Sequence, residues 1–210
     1  MSDEKGLPNE NELLQLSPNA IATYAIRCAL RVQPMWTLWN KSTAEYKKEI
    51  VDLNSKYKVL VYNTDNVAAR TAAKSAARTT EDSVFTTKAA DVSRVINAAL
   101  AAVSAATRTA ANATSINAAA INSANAAARI ITDNDYTAAD AYAIAINSAR
   151  TDYRQLLELK TEVTDASETG PLGDLWHGSP PDWYIKAKEE CERTIVKWER
   201  DVTLEDPPPK

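Results

Sequence analysis

The sequence predicts an all-α fold: a single-domain multi-helix bundle of about seven helices packed on one another around one core. Three observations predict it. From Val67 to Ala149 the chain is dominated by alanine, with Asn, Ser and Thr filling much of the rest, and it contains neither Gly nor Pro. Alanine loses no side-chain entropy on entering a helix, and nothing in this stretch punctuates one. On either side of it, apolar residues recur at spacings of three and four. Within it, Thr109 to Ala128 carries no charged residue. Helices that face water carry a charged stripe, so this Ala/Asn/Ser-rich segment is expected to be the enclosed central helix. A membrane span is the rival reading, but its four Asn, with Ser, Thr and only two Ile, leave too little apolar surface for lipid.

Taken in order, residues 1–16 read as a flexible leader ending in Leu13, Leu14 and Leu16. Ser17-Pro18 reads as an N-cap followed by proline in the first turn, where its missing N–H costs nothing. The helix so started places Ile21, Tyr24, Ala25, Cys28, Val32 and Met35 on one face, with Arg27 and Arg31 on another. Pro34 should end or kink it, leaving a short aromatic segment to Trp39. Ser42-Thr-Ala-Glu45 has the form of a capping box, and Tyr46, Ile50, Leu53, Tyr57 and Leu60 follow at helical spacing. Helices are then expected over about Asn66–Thr79, Glu81–Thr107 and Thr109–Thr132, and from Thr137 to Val163. The tetrads at Ile96, Ile116, Ile121 and Ile146 (Ile-Asn-Ala/Ser-Ala) suggest a shared packing device. Small residues there let backbones approach while Asn bonds across helices. Their unequal intervals exclude a solenoid.

The character changes at Asp165. Residues 165–182, with Trp183, hold three of the four glycines, three prolines, two Trp and the only histidine. They read as a long ordered loop or lid before the last helix, whose inward face is Tyr184, Ala187, Cys191, Ile195, Trp198 and Val202. The helical domain is thus expected over 17–203, with 204–210 as a disordered tail.

Composition narrows the function. A net charge of -4 and a pI near 5.2 argue against a nucleic-acid partner. The acidic start lacks the basic and apolar regions of a secretory signal, so a cytoplasmic location is expected. Cys28 and Cys191 both fall on apolar helical faces and read as buried free thiols. No phosphate loop, zinc spacing or nucleophile elbow occurs. Asp133-Asn134-Asp135 opens like a calcium loop, but Ala138 and Ile144 stand where glycine and a bidentate Glu belong. No metal, cofactor or catalytic residue is expected.

The box Ala25-Ile-Arg-Cys28-Ala-Leu-Arg31-Val-Gln-Pro34-Met-Trp36, followed by the alanine-rich region, resembles the Imm-5-type immunity proteins of bacterial polymorphic-toxin systems and related alanine-rich bacterial proteins. Their first helix carries a similar Ala-x-x-Cys-Ala-x-Arg-Val-x-Pro string. The resemblance implies a small cytosolic protein that binds another protein, a toxin or a defence-complex subunit. The histidine-containing helix of that family has no counterpart here, since His177 lies in the late loop.

Two groups of residues stand out as candidate partner-binding sites. Trp176, His177, Trp183 and Tyr184 combine stacking area with a titratable ring on an irregular segment, a composition found at interface hot spots. The same residues could equally fold back and seal the bundle. Arg70, Lys74 and Arg78 form a basic row that reads either as a contact for an acidic partner or as a solvated edge beside Glu81 and Asp82. Arg27 and Arg31 either meet an acid on another helix or lie exposed. The leading expectation is non-catalytic protein binding that neutralises or sequesters a partner. A scaffolding module, or an enzyme or nucleotide binder with an unrecognised site, are the alternatives.

Overall fold

The computed structural model describes residues 6–37, 43–64, 138–159 and 162–205. All regular structure among them is helical: α1 (Glu10–Leu13), α2 (Pro18–Leu30), a 3-10 turn (Gln33–Thr37), α3 (Ala44–Tyr62), α4 (Ala138–Leu159) and α5 (Asp182–Glu205). The expected helices between Asn66 and Thr132, the enclosed Thr109–Ala128 segment among them, lie outside the described residues. So do Trp39, the Asp133–Asp135 turn and the last five residues of the expected tail; the structure carries α5 to Glu205, two residues past the expected domain end.

Among the described helices, α2 is the most enclosed. Every residue from Ala20 to Ala29 is buried, and the four alanines at 20, 22, 25 and 29 are what allow neighbours close on several sides. Its start matches its sequence, with Ser17 accepting from the Ala20 amide at 3.2 Å and Pro18 in the first turn. At its other end the chain tightens into the 3-10 turn around Pro34, which has no N–H to continue the helix. That turn drives Trp36 into the core, edge-on to Tyr57 with ring centroids 5.5 Å apart, while the Tyr46 hydroxyl donates to the Trp36 carbonyl at 2.8 Å. The cap of α3 is Thr43, one residue beyond the expected Ser42; its Oγ1 accepts from the Tyr46 amide. Helix α5 packs across α3 and the 3-10 turn, and α4 packs on α2.

One expectation needs correcting. Residues 6–16 form no flexible leader: Leu13 is fully buried, Leu16 nearly so, and Leu7 packs on the same core. Arg150 of α4 donates to the carbonyls of Gly6 and Leu7 and pairs with Glu12, whose own carbonyl accepts from the Tyr153 hydroxyl. Asn9 and Glu12 bond each other's amides reciprocally and so close the single turn of α1.

The segment after α4 is fastened before it begins to wander. The Thr64 amide donates to the Thr164 carbonyl (2.7 Å) and the Ala166 amide to the Val61 carbonyl (2.8 Å), pairing the end of α3 with the start of the late loop. Thr23 of α2 ties the same spot, its hydroxyl donating to the Val163 carbonyl and bonding that of Thr64. Both cysteines are free and buried.

Candidate functional site

Arg27 in α2 and Arg31 at its C-terminal cap lie one turn apart, and both are buried to within 1%. Two guanidiniums can leave water only if their charge is offset and their donors are satisfied. Asp152 of α4 offsets the charge. Its Oδ1 accepts from Arg27 Nε at 2.9 Å and its Oδ2 from Arg31 Nη2 at 2.6 Å, with all three side chains out of solvent. Apart from Arg31 Nη1, which lies 3.9 Å from Cys28 Sγ, the remaining bonded donors face the late loop. Arg27 reaches the carbonyls of Ala166, Ser167, Gly173 and Asp174, and Arg31 reaches that of Leu175 twice, through Nε and Nη2. Ser148 of α4 adds a bond to the Trp176 carbonyl. An irregular segment has no ladder to absorb its carbonyls, so the two arginines do that work from within the core.

His177 completes the cluster. Its Nε2 lies 2.6 Å from Asp152 Oδ1, and since a carboxylate only accepts, Nε2 carries the proton. The residue sits in the left-handed region at φ +37°, a conformation that side chains other than glycine adopt only when their surroundings hold them there. Gly173 turns the loop at φ +62°. Gly170 is required for space: a Cβ there would come within 2.8 Å of the Asp165 carbonyl oxygen.

The electrostatics follow from this packing. Burial alone would push the Asp152 carboxyl up, but Arg31, the His177 hydrogen bond and Arg27 together hold it below the ordinary carboxylate value. Burial lowers Arg27, and Asp152 only partly restores it. Burial works against Arg31 as well, but Asp152 and the neighbouring Cys28 outweigh it, so Arg31 is raised. Cys28, one turn from Arg31, is pushed up to about 11 by its burial.

Of the four candidates expected on an irregular segment, Trp183 and Tyr184 fall instead in the first turn of α5, and the four divide into two classes by exposure. Trp176, Trp183 and Tyr184 are buried, between 3% and 5% exposed, and meet one another edge-on with centroids 5.0 to 6.0 Å apart. Arg31 lies over the Trp176 ring at 5.8 Å. His177 alone reaches the surface, with 13% of its side chain exposed. Arg70, Lys74 and Arg78 lie outside the described residues. Of the two readings left open for Arg27 and Arg31, the structure shows the first, an acid on another helix. The acid itself, Asp152, was not singled out from the sequence, although a signal existed. It lies three residues after Ala149 and four before Leu156, and so interrupts the apolar face of α4 with a carboxylate.

Among the described residues no group of His, Cys, Asp and Glu is arranged to hold a metal ion, and no helix is long and apolar enough to cross a membrane. No protein-family model, curated protein or solved structure matches this chain.

Proposed function

We propose that this chain is a non-catalytic protein-binding protein, one domain of about seven helices that neutralises or sequesters another protein. The observation that carries the reading is the engagement of its polar groups. Both Asp152 oxygens and the donors of Arg27 and Arg31 are taken up in fastening the late loop. A substrate could use them only by releasing that loop from the core. Such a cluster makes a rigid platform of an irregular segment, and rigidity lowers the ordering cost of recognition. The Ala25–Trp36 box supports the more specific form of the proposal, an immunity or defence role with a toxin or defence-complex subunit as partner. The test is titration calorimetry between the purified chain and the product of the adjacent gene, paired with a growth-rescue assay. Stoichiometric binding and rescue are the expected results; a lack of both sinks the proposal.

A further inference from the structure

The crevice between α3 and α5 is lined at its floor by Tyr57, Val61, Cys191 and Ile195 and has a volume of about 410 Å3. Its lining includes large apolar side chains that the fold leaves in water: Tyr62 is 63% exposed and Val196 46%. The two helices run antiparallel, since Tyr46 near the start of α3 meets Trp198 near the end of α5, while Tyr62 and Lys188 line the opposite end of the crevice. The charges on the rim follow that direction. Lys58 and Lys188 stand toward the Tyr62 end, Glu199 at the Val196 end and Glu192 between them. Lys58, Glu192 and Glu199 form no ion pair or hydrogen bond through their side chains among the described residues. Lys188 is half exposed and paired with Glu168.

A crevice that is basic at one end and acidic at the other is complementary to itself turned end for end. We propose that it is an isologous docking face for a second copy of this chain, with α5 of each copy lying antiparallel along the other. On α5 itself Lys188 and Glu199 lie equidistant from a point between Arg193 and Thr194. A two-fold axis through that point brings each Lys188 to the partner's acidic end, and Val196 of each copy over the position of Cys191 in the other. Tyr62, at the basic end of one crevice, then lies toward Val196 at the acidic end of the other, so that an apolar contact accompanies the lysine–glutamate contact on each side of the axis. A helix from an unrelated protein would cover the apolar lips equally well, but the order of the charges favours the self-pairing. The inference stands apart from the proposed function, since a dimer can sequester or scaffold.

Sedimentation velocity and light scattering of the full chain over a wide concentration range provide the test. The expected result is a dimer of twice the 22.9 kDa chain mass, weakened by Tyr62→Glu or Val196→Glu. Glu199→Lys sets like charges across the axis and should raise the dimer dissociation constant by about tenfold or more. Adding Lys58→Glu to Glu199→Lys should recover part of that loss. All of these positions lie at the surface, and retained helical circular dichroism confirms that each variant folds. A chain that stays monomeric throughout, a dimer indifferent to Tyr62 and Val196, or a charge reversal without recovery each overturns the proposal.

Discussion

Asp152 is the residue on which the largest local imbalance of charge depends. It faces two arginines, so its loss leaves two guanidiniums in the core with nothing to offset them. Asp152→Asn is expected to destabilise the protein by about 3–5 kcal/mol, the range for removing one partner of a buried ion pair, read from urea denaturation at neutral pH. The same residue sets an acid limb. Its carboxyl is held below the ordinary value of 3.8. Its contribution is therefore complete above that pH and is lost as pH falls through the lower, folded value. Asp152→Asn should flatten that part of the stability curve. Burial acts in the opposite sense on the thiols, pushing Cys28 and Cys191 each up to about 11. Both should resist a thiol reagent at neutral pH and react once denaturant opens the core; labelling of either one in the native protein would contradict this.

At the scale of elements, the helices depend on features that are local in sequence. Ser17→Ala and Thr43→Ala each remove a side-chain acceptor from a first turn and should each cost about 1 kcal/mol. The late loop depends on a different constraint. Gly170→Ala places a methyl group against the Asp165 backbone, and faster limited proteolysis between Asp165 and Pro181, with the helices retained, is the expected outcome. This contrast explains what could be read in advance. The inward faces of α3 and α5, the cap of α2 and the break at Pro34 all follow from spacings of a few residues, and each was legible. The loop was legible as an irregular segment from its Gly and Pro. Its inward orientation was not, because the arginines that hold it lie 139 to 147 residues away in sequence. Residues 6–16 were misread for the same reason. Their local composition is that of a tail, and the arginine that fastens them is Arg150.

At the scale of the molecule, the absence of charge was taken as the mark of an enclosed helix, and α2 comes close to it, with Arg27 as its one charged residue and Arg31 at its C-terminal cap. It is buried along ten consecutive residues, the charged position included, because both guanidiniums meet a carboxylate and a set of carbonyls that only the rest of the chain provides. Apolar periodicity therefore finds faces that are buried by hydrophobicity and misses those buried by neutralisation. The candidate site was legible only in part on this account: Trp176, Trp183 and Tyr184 were visible as residue types, while Asp152 acquires its meaning from Arg27 and Arg31. The joined contact of α2, α4 and the late loop also bears on synthesis. The N-terminal helix leaves the ribosome with two cations that must be buried, whereas their counter-charge lies 125 residues further along the chain. Until that helix and the loop after it emerge, α2 has no means of leaving water. A nascent chain arrested before Asp152 should therefore remain open to protease, and one extended past Trp176 should become resistant, so that folding of the N-terminal helices waits on translation of the C-terminal ones.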